Sequence, residues 1–289
     1  MTDKDIVSMS GSLLEGVATA IEAASNRVAE LFVSRDFQVS EKGPGDLLTS
    51  ADLASNQILQ EALRKLLPEA AWISEESEQD SSRMNGQFAW IVDPIDGTRE
   101  FAHGIPEFSI SVGLVADGRP ILGAVALPAD HISIIGSVGK GVFQFDGKIK
   151  TKIEPSATKP IDQAVICVSA SEFEKGIFRD DHFRKFNIRP TGSVARKLAL
   201  VAAGRYDANI SLYPKNEWDI CGGIALILSA GGSSVYCNEA ESLWLPHLFN
   251  QPDLTTSGLI ASRSADLVSQ LTRYSIDDGW HIRSRYGEP

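Results

Sequence analysis

The sequence predicts an α+β half followed by an α/β half. Three features predict it: two amphipathic helices lead into a run of neighbouring strands, a loop-like stretch interrupts at residues 154–160, and strands then alternate with helices. The expected boundary divides the chain into residues 1–156 and 157–289, each of ordinary domain size.

The first helix is read from Leu14, Val17, Ile21, Ala24, Val28 and Leu31, whose spacings of three and four make one apolar stripe. "EKGPGD" ends the pattern, with Gly43, Pro44 and Gly45 marking a loop. A second helix starts near Ser50, capped by Thr49 or Ser50, and Pro68 ends it. Its core face is Leu59, Ala62, Leu63, Leu66 and Leu67. From residue 72 the period changes, and "AWISEES", "FAWIV", "SISVGLV", "ILGAVAL" and "HISIIGS" read as strands. "GVFQFDGKIKTK" reads as a hairpin around Asp146-Gly147. The run of mostly neighbouring strands implies an antiparallel sheet.

Beyond "EPSATKP" the buried strand "AVICVS" precedes a helix through Phe173–Phe186. "GSVARKLALVAAG" is a helix opening on Gly192-Ser193, "DANISLY" a strand, and "WDICGGIALILSAGG" a helix closed by Gly231-Gly232. "LIAS" leads into a last helix, "SADLVSQLTRY".

At 43% hydrophobic and 22% charged, the chain has material for a sizeable core. A formal net charge of −11 with no basic run argues against a nucleic-acid polymer as partner, since that requires clustered Lys and Arg. Cys167, Cys221 and Cys237 fit no metal or redox spacing and, with no leader peptide evident, point to a reducing cytoplasm. "ICGGIALILSAGG" is too short and glycine-rich to span a bilayer, so no membrane partner is expected.

Acidic residues gather where regular structure ends. They are Asp46 and Asp52 around the start of the second helix, Glu75-Glu76 after one strand, Asp93 and Asp96 after another, and Asp219 at the head of a helix. Carboxylates from separate loops meeting at one point suit Mg²⁺, which takes oxygen ligands and also binds substrate phosphate. In "DPIDGT" the two aspartates sit three apart on a turn that Pro94 stiffens, and Gly97 allows close backbone approach. Helical N–H groups from Thr98 onward would make an anion site beside the metals. Singly, each motif is ordinary turn or cap chemistry.

Together, "GDLLTSAD", "ISEES", "WIVDPIDGTREF", "GSVARKLALVAAG" and "EWDICGGIALILSAGG" resemble, in order and spacing, the inositol monophosphatase superfamily of metal-dependent, lithium-sensitive phosphatases. The resemblance spans about residues 12 to 265. It implies a layered αβαβα sandwich, commonly homodimeric, with two or three Mg²⁺ ions per site. The matching positions make Glu75, Asp93, Asp96 and Asp219 the side-chain ligands and Ile95 a carbonyl ligand. They make Thr98 and Asp52 the pair that orients and deprotonates the attacking water, and the backbone of Gly97 and Thr98 the phosphate cradle. Gly192 and Ser193 would contact the rest of the substrate, and Asp46 and Glu76 would support the metals. The implied reaction is direct attack of a metal-activated water on a small phosphorylated metabolite, with no covalent enzyme intermediate.

"DGTREF", with Glu100 where the inositol branch usually has asparagine, looks more like the 3'(2'),5'-bisphosphate nucleotidases, which act on 3'-phosphoadenosine 5'-phosphate. Leu212 stands where inositol monophosphatases carry a glutamate that meets a ring hydroxyl. Arg196 and Lys215 are the candidate partners for a second phosphate, Arg99 is ambiguous, and Trp218 either stacks on a base or joins the core. The alternatives are an inositol or sugar monophosphatase, a non-catalytic regulatory member, and a structural Ca²⁺ module.

Overall fold

A computed structural model describes residues 3–43, 45–78, 81–155, 159–238 and 243–280. Helix α1 (Asp3–Ser34) buries the predicted stripe from Leu14 to Leu31, and α2 (Ser50–Leu66) packs beside it with Leu59 and Leu63 inward. Thr49 is the residue that caps α2. Between the helices lies a departure from expectation. "EKGPGD" is not a plain loop but part of a hairpin of β1 (Val39–Gly43) and β2 (Asp46–Thr49), with Pro44 outside the described residues. β1 is almost wholly exposed, so its backbone ladder rather than an apolar face holds it, and no alternation marks it in the sequence.

The next seven strands form one sheet in sequence order. They are β3 (Ala71–Ser74), β4 (Phe88–Asp96), β5 (Ser109–Ala116), β6 (Arg119–Leu127), β7 (Ile132–Ser137), β8 (Gly141–Asp146) and β9 (Ile149–Ile153). Only β3 and β4 run parallel; the other neighbours are antiparallel, as the run of strands implies. Short helix α3 (Thr98–His103) follows β4.

The boundary expected near residue 156 falls within residues 156–158, outside the described residues. Then come β10 (Val165–Ser169), α4 (Ala170–Glu174), β11 (Asn187–Thr191), α5 (Val194–Ala202), β12 (Ala208–Ser211), β13 (Lys215–Asn216) and α6 (Glu217–Ser229). They are followed by β14 (Ser233–Asn238), β15 (Leu243–Pro246), β16 (Thr255–Thr256), β17 (Leu259–Ser262) and α7 (Ala265–Asp277). A six-stranded mixed sheet runs β11-β10-β12-β17-β14-β15, and β13 pairs with β16 apart from it. The helix expected over Phe173–Phe186 is broken. Gly176 sits at φ 83° and Asp180 is extended, so only α4 and two 3-10 turns form, and Phe178, Phe183 and Phe186 bury as separate anchors.

The layers stack as α1/α2, first sheet, α5/α6, second sheet, α4/α7, which is the αβαβα sandwich. α5 and α6 face both sheets and share one apolar cluster with them. The glycines of "ICGG" explain how α6 seats there. A Cβ at Gly222 would lie 2.7 Å from both Ser111 Oγ and the Val112 carbonyl oxygen, and one at Gly123 would lie 2.2 Å from the Gly222 carbonyl oxygen. The helix backbone thus rests directly on β5 and β6. Gly-to-Ala in a helix interior normally gains about 1 kcal/mol of propensity. Here the sign reverses: Gly222→Ala is expected to destabilise by about 1–3 kcal/mol through overpacking. Urea denaturation checks this, and a stabilised variant would show that the seating is not tight.

Candidate active site

β4 is buried along its length until it reaches Asp96. The expected break at Asp93-Pro94 does not occur; the strand continues through Asp96. Its pairing with β5 shifts there, since Asp93 opposes Ser111 while Asp96 opposes Ser109. One extra residue on β4 makes a bulge, which re-aims side chains at a strand end. Asp93 is 1% exposed, and its Oδ1 accepts from the Ile95 N–H at 3.0 Å. Gly97, at φ 95°, then turns the chain into α3 without a side-chain cap of its own.

Thr98 opens α3, and its hydroxyl lies 3.0 Å from both Asp52 Oδ1 and the Ile95 carbonyl oxygen. Asp52 is buried in the first turn of α2 through a capping box. Its Oδ2 accepts from Thr49 N (2.8 Å) and Thr49 Oγ1 (2.6 Å), so Oδ1 is the oxygen turned to Thr98. Glu75 and Glu76 follow β3. Both accept from Lys42 Nζ of β1, at 2.6 and 2.8 Å, and Asp46 lies 3.9 Å from the same ammonium. Asp219, in the first turn of α6, caps that helix by accepting from Asn216 N at 2.9 Å.

Asp96 is gripped by another loop. Its Oδ2 accepts from Ser193 Oγ and Ala195 N, both at 2.6 Å. Because Ser193 donates to Asp96, the 2.8 Å contact with Ser109 Oγ has Ser109 as donor. Ser193 holds φ 46°, a conformation costing a non-glycine residue about 1–3 kcal/mol, and such strain concentrates at functional sites. Gly192 must lack a side chain, since a Cβ would meet the Glu107 carbonyl oxygen at 2.7 Å. Its N–H donates to Glu107 Oε2 at 2.7 Å, so Gly192 and Ser193 are engaged with their own chain.

The electrostatics follow from this crowding. Burial, then Asp96 and Glu75, push Asp219 up to about 8. Burial raises Asp52 to about 6 against the hydrogen bonds from Thr49 and Thr98, and raises Glu75 to about 6 against Lys42. Asp93 is pushed well up by burial and then by Glu75, Asp96, Asp219 and Asp52. Asp96 is raised by burial, which the bonds from Ser193 and Ala195 oppose. Glu75, Asp93, Asp96, Asp219 and Asp52 are linked electrostatically and so lie together, whereas Asp46 is exposed at the β1–β2 hairpin. Among the described residues no three acidic, His or Cys side chains are already closed into a chelating group. Lys42 holds Glu75, the Ser193 turn holds one oxygen of Asp96, and Asn216 N holds one oxygen of Asp219. The donor set fits a hard divalent cation, because it is all oxygen and a cation relieves the mutual repulsion that raises these pKa values.

The cations expected at a second phosphate each have a carboxylate partner. Arg196 donates to Asp130 at 2.7 Å, and Lys215 donates to buried Glu172 at 3.1 Å. Lys215 nevertheless acts electrostatically on both Asp96 and Asp219. Arg99, the second residue of α3, is exposed. Trp218 packs against the α5/α6 core cluster. Leu212 is buried, and its N–H donates to Glu172 Oε2. Sequence reasoning passed over Lys42 and Lys197; the first sits in a hairpin without periodicity, and neither falls in a catalytic spacing.

The inositol monophosphatase family model matches residues 12–275. An inositol-1-monophosphatase of Rhizobium meliloti (strain 1021) is 35% identical over 234 residues, covering 77% of this chain and 85% of that protein. A fructose-1,6-bisphosphatase/inositol-1-monophosphatase of Aquifex aeolicus (strain VF5) is 30% identical over 200 residues, 67% of this chain and 74% of that protein. The crystal structure of extragenic suppressor protein suhB from Bartonella henselae superposes with a TM-score of 0.74 at 25% identity, covering 91% of this chain and 98% of that one. The chain belongs to the inositol monophosphatase family of metal-dependent phosphoric monoester hydrolases.

Proposed function

We propose that Glu75, Asp93, Asp96, Asp219 and the Ile95 carbonyl hold two or three Mg²⁺ ions, and that Thr98 and Asp52 drive hydrolysis of a small phosphomonoester. The observation that carries this is the 3.0 Å approach of Thr98 Oγ1 to Asp52 Oδ1 at the end of the strand bearing Asp93 and Asp96. Bound there, Mg²⁺ supplies charge that makes water more acidic and steadies the phosphoryl group. Thr98 Oγ1 donates its proton to Asp52 Oδ1 and keeps its lone pairs to orient the attacking water. Thr49 fixes the other Asp52 oxygen, so the acceptor cannot swing away. With a pKa near 6, Asp52 is poised to receive a proton at neutral pH. The N–H groups of Gly97 and Thr98 would cradle the phosphoryl oxygens.

For the substrate we favour a bisphosphorylated nucleotide such as 3'-phosphoadenosine 5'-phosphate. The support is Leu212, a buried leucine at the position where the resemblance to inositol monophosphatases implies a polyol acceptor; Lys215 gives its protons to Glu172, Tyr213 and Pro214. The second reading, an inositol monophosphate, is favoured by the relative from Rhizobium meliloti that bears that name.

Turnover of 3'-phosphoadenosine 5'-phosphate and of inositol 1-phosphate, each with Mg²⁺, separates the two. Thr98→Ala is expected to lower kcat by about 100-fold with little change in KM. A strong preference for inositol 1-phosphate would sink the nucleotide reading, and undiminished turnover in Thr98→Ala would remove that hydroxyl from the chemistry.

Stability should respond to pH in a defined sense. Asp52, Glu75 and Asp219 have folded-state pKa values above their ordinary ones, so their protonated forms favour the fold. That stabilisation is complete below the ordinary carboxylate range and is lost as pH rises through about 6 to about 8. Metal-free protein is therefore expected to melt higher at about pH 5.5 than at about pH 8.5. Mg²⁺ needs the ionised ligands, so its Tm increment should be larger at the higher pH. Asp93→Asn should raise the metal-free Tm while abolishing activity. A metal-free Tm that climbs with pH over this window would contradict the mutual repulsion.

A further inference from the structure

Lys197 lies in the first turns of α5 and is 2% exposed. Its Nζ donates to the backbone carbonyls of Thr191 (3.1 Å), Gly192 (3.2 Å) and Ser193 (2.9 Å). An ammonium carries three protons, and here each goes to a carbonyl of the same turn. Among the described residues no carboxylate forms an ion pair with it. A buried ammonium without such a partner is costly, and the N-terminal end of a helix disfavours a cation further. An apolar side chain of similar volume would serve the core at least as well. The charge also lies within electrostatic reach of Asp96 and favours its ionised form; what the three hydrogen bonds secure is geometry.

The turn it holds is the strained one. Ser193, at φ 46°, directs its Oγ to Asp96 Oδ2, and Ala195 N meets the same oxygen. Glu107 grips the turn from the opposite side through Gly192 N. With Oδ2 bound twice, Oδ1 is the Asp96 oxygen without a bond to the described residues. The proposed ligand thus presents one oxygen, and the turn decides which.

We propose that Lys197 is a positioning residue of the metal site, clamping the 191–193 turn so that Ser193 and Ala195 hold one oxygen of Asp96 and leave the other for Mg²⁺. This rests on the proposed ligand role of Asp96.

Lys197→Met removes the donors at similar volume, Lys197→Gln keeps a donor without the charge, and Ser193→Ala removes the far end of the clamp while leaving Lys197 in place. Mg²⁺ alone is titrated against each intact protein, with the thermal shift as readout. Steady-state kinetics are then measured on whichever of 3'-phosphoadenosine 5'-phosphate and inositol 1-phosphate the wild type hydrolyses. The expected result is a Mg²⁺ half-saturation raised about 10- to 100-fold in all three, with kcat reduced and KM within about twofold of wild type. A merely structural lysine would lower the metal-free Tm and leave the Mg²⁺ half-saturation alone. Should Lys197→Met fail to fold, Lys197→Gln and Ser193→Ala decide, and a half-saturation within about twofold of wild type in either overturns the proposal. If wild type itself shows no Mg²⁺-dependent shift, the metal-site reading has failed, and the clamp fails with it.

Discussion

The arrangement turns on the repulsion among carboxylates buried at the end of β4. Asp93 is enclosed by protein, and Glu75, Asp96, Asp219 and Asp52 all bear on it electrostatically. No packing argument favours such a cluster, since burying like charges raises every pKa in it. Each acid is therefore held by a specific device. Thr49 pins Asp52, Lys42 draws off Glu75 and Glu76, the Ser193 turn takes one oxygen of Asp96, and Asn216 takes one of Asp219. Every device leaves the side chain ionisable, which is what oxygen ligation of a divalent cation demands.

The fold's layering makes those devices possible. Asp52 and Asp219 are each the third residue of a helix, where a carboxylate caps its own N-terminus and is oriented by it. α2 brings one from the outer face of the first sheet, and α6 brings the other from the inner face. The direct seating of α6 on β5 and β6 at Gly222 and Gly123 sets the height at which Asp219 arrives. The β4 bulge performs the corresponding adjustment for Asp93 and Asp96.

Much of this was legible in the residues. The α1 stripe and the run of strands carry strong periodicity and appear where expected, and Glu75-Glu76 follow β3 as the motif implies. What escaped detection lacks a local signal. The β1–β2 hairpin is exposed and polar, so nothing in its pattern separates it from a loop. The strand end at Asp93-Pro94 looked like a turn because proline and aspartate punctuate turns, whereas tertiary pairing carries β4 onward through a bulge. The Phe173–Phe186 helix failed at Gly176, whose positive φ overrides the apolar spacing around it. Lys197 reads as one more helical cation in "VARKLAL"; only the fold shows that it points into a backbone turn.

The most direct test of the central claim is a crystal soaked in Mn²⁺, a Mg²⁺ substitute with usable anomalous scattering. The account predicts anomalous peaks among Glu75, Asp93, Asp96 and Asp219, with Asp96 Oδ2 still bound to Ser193 and Ala195. Full Mn²⁺ loading with no peak at these carboxylates would contradict it.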